Sequence, residues 1–115
     1  MYFEDLRVWK ESIELYNYMY SLFPKKSVED YFFRDQLLRA CLSISNNIAE
    51  WYERQTNKEL MRFLYIAKWS CGEVRSMLYI AKTNWLVSEE ISLDIIEKTK
   101  KISVMLWKLI QSLER

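Results

Sequence analysis

The chain has 115 residues, half of them hydrophobic and 16% aromatic, and its formal net charge is +1. That is enough apolar material to close one core, so disorder is excluded and a single domain over residues 1–115 is expected. One glycine, one proline and no histidine exclude glycine-rich phosphate loops, His-ligated metal sites, Ser-His-Asp and Cys-His catalysis, and a hairpin-rich β fold.

Four segments carry helical periodicity. In the first, about Glu4 to Phe23, the residues Leu6, Trp9, Ile13, Tyr16, Tyr20 and Phe23 step by three and four, the spacing of a packed seam. Pro24 ends it, and Lys25 and Lys26 suit the negative end of a helix dipole. Ser27 is the expected N-cap of the second helix, with Glu29 and Asp30 in its first turn. That helix runs to about Arg54, with a seam of Phe32 or Phe33, then Leu37, Cys41, Ile44, Ile48 and Trp51. Thr56-Asn57-Lys58-Glu59 reads as a capping box that opens the third helix. Its seam is Leu60, Leu64, Ala67, Cys71, Val74, Leu78, Ala81 and Trp85. Ser88 followed by Glu89 and Glu90 opens the fourth, whose seam is Ile95, Thr99, Ile102, Leu106, Leu109 and Leu113. Short connections favour antiparallel neighbours, so the expected fold is all-α, an antiparallel up-and-down four-helix bundle.

Cys41 and Cys71 fall on seams and are expected to be buried, reduced thiols. Two cysteines are too few for a secreted disulfide scaffold. The opening Met1-Tyr2-Phe3-Glu4-Asp5 lacks the apolar stretch of a signal peptide, and no run of about 18 apolar residues is present. A soluble, cytoplasmic protein that does not enter the membrane is expected.

Three surfaces stand out. The third helix has surplus apolar residues: Ile66, Trp69 and Ile80, with Phe63 or Tyr65, can form a stripe behind the seam. A second apolar face calls for a partner, and a symmetric assembly of identical copies is the simplest. The second helix carries a polar row of Gln36, Ser43, Asn47, Glu50 and Arg54, with Ala40 completing it. This row lies about 100° around the axis from the seam. It reads as a hydrogen-bonded network that fixes register or lines a subunit contact; a ligand surface is the alternative. Glu50 has no second carboxylate on this row and no nucleophile to activate, so no catalytic residue, metal ligand or cofactor site is assigned. Basic residues also concentrate on the third helix, where Lys68, Arg75 and Lys82 recur every seven residues along one flank. Solvated ion pairs explain most such rows, while Arg54, Lys58 and Arg62 are the candidates for phosphate contact.

Several runs occur in an order that resembles a known family. They are Asp5-Leu6-Arg7-Val8-Trp9-Lys10, Phe23-Pro24, Gln36-Leu37-Leu38-Arg39-Ala40, Ser43-Ile44-Ser45-Asn46-Asn47-Ile48-Ala49-Glu50, Arg54, and Arg62-Phe63-Leu64-Tyr65-Ile66-Ala67. Together they resemble the bacterial four-helix-bundle proteins encoded in intervening sequences of 23S ribosomal RNA genes, some of which are called ribosomal proteins. The resemblance implies a small antiparallel bundle that assembles as a homopentamer, without enzymatic activity. It also implies a distant likeness to the pentameric accessory protein of diversity-generating retroelements, which works with a reverse transcriptase and nucleic acid. The chain departs from the family pattern in places: Trp51 stands where a glycine is usual and Leu38 where an arginine is usual. The expected function is a non-catalytic homo-oligomeric scaffold or adaptor that contacts RNA or DNA. The alternative is a protein-binding adaptor with an exposed apolar helix face around Trp69, and a small-molecule site inside the bundle ranks below both.

Overall fold

The computed structural model describes residues 1–23, 28–54 and 58–114, and of residues 28–30, 58 and 59 the backbone alone. Pro24, Lys25, Lys26, Ser27 and the Thr56-Asn57 part of the expected capping box lie outside the described residues. Four α-helices carry the fold: α1 Arg7–Leu22, α2 Val28–Glu53, α3 Arg62–Thr83 and α4 Glu89–Glu114. Short 3-10 segments precede α1 at Phe3–Asp5 and α3 at Lys58–Met61. The α-helical geometry of α3 therefore begins at Arg62, later than the capping-box reading places it. The fourth start is as read: Ser88 Oγ accepts the backbone N–H of Ile91 at 3.2 Å, and Glu89 and Glu90 occupy the first turn, where negative charge suits the helix dipole.

Cross-links between helices fix the up-and-down order. The Tyr52 hydroxyl near the end of α2 donates to the Met1 carbonyl at 3.1 Å. The Arg34 guanidinium near the start of α2 donates to the Phe23 carbonyl that follows α1. Tyr65, in the first turn of α3, donates to Glu114, the last residue of α4, at 2.6 Å. Contacts are densest between α2 and α3 and between α3 and α4, while α1 leans mainly on α2. The result is a rod of about 45 × 22 × 21 Å.

The core follows the predicted seams in α2 and α3. Leu37, Cys41, Ile44, Ile48 and Trp51 face Leu64, Ala67, Cys71, Val74, Leu78 and Ala81, all buried. Phe33 packs against this core and Phe32 does not. Leu38 is buried as well.

Three departures have clear causes. In α1 the buried row is Val8, Ser12, Leu15 and Met19, not the predicted Trp9-Ile13-Tyr16-Tyr20 row. Large aromatics reach the core edge from flanking positions, as Trp9 and Tyr16 do here, and leave the centre to slimmer side chains. Ser12 is tolerated at that centre because its hydroxyl donates to the Trp9 carbonyl at 2.7 Å. In α4 the row drifts from Leu106 to Ile110, leaving Leu109 half-buried and Leu113 exposed. A helix of about 3.6 residues per turn outruns a strict seven-residue repeat by about 20° per heptad. The third departure is Trp85, which is 91% exposed and not on the seam. Its φ of 60° places it in the left-handed region one residue beyond the cap of α3. Leu86 N–H then bonds the Ala81 carbonyl at 2.9 Å and Trp85 N–H the Lys82 carbonyl at 3.3 Å. That is a Schellman stop, usually built on glycine.

Candidate functional site

The polar row of α2 resolves into two groups of contacts. Asn47 Nδ2 donates to the Ser43 carbonyl at 2.7 Å and to Ser43 Oγ at 3.0 Å. Across the seam, Ser70 Oγ of α3 donates to the same Ser43 Oγ at 2.9 Å. Ser43 and Asn47 are half-buried and Ser70 is buried, so the network satisfies polar atoms where water is scarce. It ties α2 to α3 at one register. Ser70 was not singled out from sequence. Its signal was a small hydroxyl residue beside the Ala67–Cys71 seam, where a bulkier side chain would hold the helices apart.

The second group lies one turn further along α2. Glu50 Oε1 and Arg54 Nη2 form an ion pair at 2.8 Å. Arg54 Cζ also lies 5.8 Å from the centre of the Phe63 ring, and Arg62 Cζ lies 5.3 Å from the same ring. Two of the three candidate phosphate-binding residues are thus brought beside one aromatic ring, with Arg54 already partly neutralised by Glu50. The side chain of Lys58 lies outside the described residues.

The surplus apolar face of α3 is present. Trp69 is 63% and Ile80 50% exposed, and Ile66 is half-buried. Of the flanking candidates, Tyr65 extends the stripe, its ring centre 6.3 Å from that of Trp69, while Phe63 lies near the two guanidinium groups. The Tyr65 hydroxyl donates to Glu114. That hydrogen bond, helped by the nearby carboxylate charge and some desolvation, raises the Tyr65 pKa above its usual value.

Cys41 and Cys71 are buried and free. Burial pushes both thiols up to about 12; the neighbouring Cys71 adds to the rise at Cys41, while Arg75 and Lys68 pull Cys71 back in part. They are therefore protonated and inert at neutral pH. Among the described residues no cluster of carboxylates and thiols is arranged to hold a metal ion, and no helix is long and apolar enough to cross a membrane.

Comparison with known proteins agrees with this architecture. The family model described as 23S rRNA-intervening sequence protein matches residues 4–108. A crystal structure of a protein with unknown function from the S23 ribosomal protein family of Bacteroides thetaiotaomicron superposes with a TM-score of 0.81 at 23% identity. The match covers 90% of this chain and 95% of that one. No curated protein matches the chain.

Proposed function

The chain belongs to the 23S rRNA-intervening sequence protein family, and we propose that it acts as a non-catalytic scaffold built from several identical copies. The observation that carries this reading is the outer face of α3. Trp69 and Ile80 expose 63% and 50% of their surface on a helix whose opposite side already fills the core. Large apolar side chains aligned along one helix face are the usual mark of an interface. Such a face, docked on a different patch of the next copy, closes a ring, and five copies is the stoichiometry the family resemblance implies.

Native mass spectrometry tests the reading. The wild-type chain is expected as a closed oligomer, and Trp69→Glu combined with Ile80→Lys is expected as a monomer. A wild-type monomer, or an unchanged mass for the double variant, would overturn it.

RNA or DNA binding is a second reading, favoured by Arg54 and Arg62 converging on Phe63. Two guanidinium groups beside an aromatic ring suit phosphate and base together. A ring of copies would multiply a patch that is weak on one chain. Purification without nuclease should then yield nucleic acid bound to the oligomer, with affinity that falls steeply as salt rises and drops further in Arg62→Glu. A clean oligomer, or a salt-insensitive complex, would remove this reading and leave the scaffold intact.

A further inference from the structure

The α3–α4 side of the bundle carries an arrangement that neither self-association through Trp69 nor the Arg54–Arg62 pair uses. Most lysines of α3 and α4 are neutralised: Lys82 by Glu89, Lys98 by Asp94, Lys100 by Glu97 and Lys101 by Glu11, all at 3.1–3.4 Å. Lys68, Arg75 and Lys108 are in no ion pair among the described residues. Lys68 Nζ instead sits 5.9 Å from the centre of the Trp107 ring. Beside it opens a shallow recess of about 300 Å³ lined by Lys68, Ser103, Val104 and Trp107. Val104 is 52% and Trp107 42% exposed there.

Gly72 lies between Lys68 and Arg75. It is the one glycine of the chain, it has ordinary helical backbone, and a Cβ built on it would meet Arg75 Nη2 alone, at 3.9 Å. Glycine weakens the middle of a helix, and nothing within this chain requires its missing side chain. An open notch of this kind lets a second backbone come close.

Unpaired charge beside an apolar recess selects the occupant. Lys68 and Arg75 are two helical turns apart, roughly 10.5 Å along the axis. Residues flanking the apolar seam of another helix repeat on the same seven-residue pitch. Every third phosphate of a nucleic-acid strand would also meet that pitch, but the exposed aliphatic Val104 beside Trp107 offers a phosphate or sugar nothing and suits the apolar side of a helix. We infer that the α3–α4 face docks an amphipathic helix of a partner protein, with its apolar side on Val104 and Trp107 and its carboxylates on Lys68 and Arg75.

The test uses the full-length protein in its native assembly and two synthetic helical peptides of about three heptads. Both carry leucine along one seam; one is flanked by glutamate and the other by lysine. The glutamate peptide is expected to bind at least about tenfold more tightly than the lysine peptide, which corresponds to about 1.4 kcal/mol. Val104→Glu should weaken it by about the same factor. Lys68→Glu with Arg75→Glu should invert the preference between the peptides, and binding of the lysine peptide shows that this variant is folded. Absent binding of both peptides, equal binding of both, or indifference to the double charge reversal would overturn the inference. So would a fall in native mass on charge reversal, which assigns the face to another copy of this chain. Tighter binding of single-stranded RNA through the same two cations would overturn it as well.

Discussion

The α2–α3 seam and the α1–α4 seam are built on opposite principles. Between α2 and α3, Cys41, Ile44 and Ile48 meet Leu64, Ala67, Cys71 and Val74 with no exposed surface. The one polar link at that level, Ser70 to Ser43, is a close hydrogen bond between two small residues. Between α1 and α4, Glu11, Glu14, Asp94, Glu97, Lys98 and Lys101 line an open groove of about 290 Å³ with Leu15 and Ile102 at its floor. Small side chains let helix axes approach and exclude water. Long charged ones hold the axes apart and keep their own hydration, because burying an ion costs more than its pair returns. Stability should therefore be concentrated on one side of the bundle.

The largest expected effect tests that asymmetry. Ile44→Ala, in the dry seam, should cost about 2–5 kcal/mol in a denaturant titration, through lost burial and the cavity left behind. A loss under about 1 kcal/mol would mean that the α2–α3 seam collapses easily and is not the rigid half.

The thiols of the same seam give a pH test. Folded, Cys41 and Cys71 hold their protons to about 12, whereas free thiols lose theirs near 9.0. Above pH 9 the folded chain therefore binds more protons than the unfolded one, and stability falls as pH rises. The slope should approach about 1.4 kcal/mol per pH unit for each thiol, with no contribution from either below pH 8. Replacing both with alanine should flatten that part of the curve between pH 9 and 11. An unchanged slope would place the thiols in contact with water.

Outside both seams, Trp85→Gly should stabilise the chain by about 1 kcal/mol. It relieves a left-handed residue whose side chain is 91% exposed, so little packing is lost. A lowered melting temperature would show that the indole is held by contacts in the assembly. The smallest effect belongs to the charged seam. Lys101→Ala breaks the 3.1 Å pair with Glu11, yet both side chains retain water. The expected loss is under about 0.5 kcal/mol, and more than about 2 kcal/mol would make α1–α4 a second structural seam.

Legibility differed between helices for a physical reason. In α2 the competing row was polar, and in α3 the rival apolar row through Ile66, Trp69 and Ile80 is interrupted by Glu73 and Ser76, so the aliphatic residues at three- and four-residue spacing were the buried ones. In α1 both the row through Trp9 and Tyr16 and the row through Val8 and Leu15 are apolar enough to face inward. Only packing against α2 chose between them, and it chose the row whose centre, Ser12, is small. The site showed the same split. The polar row of α2 and the surplus apolar residues of α3 were readable from spacing. The partner of Ser43 was not, because Ser70 lies 27 residues away and periodicity carries no information across helices. Nor could spacing tell that Lys82 is paired while Lys68 and Arg75 are left free, since ion pairing depends on which carboxylate the next helix brings close.

By itself, then, the sequence determined the number of helices, the start of α4, the buried faces of α2 and α3, and the exclusion of histidine chemistry. Each depends on residue type and on a period set by local backbone geometry. The tertiary structure alone decided which apolar row of α1 turns inward, where α3 stops, which charges are left unpaired and which hydroxyls meet across a seam. Those outcomes depend on distances between helices, and such distances are set only when side chains of different sizes compete for the same space.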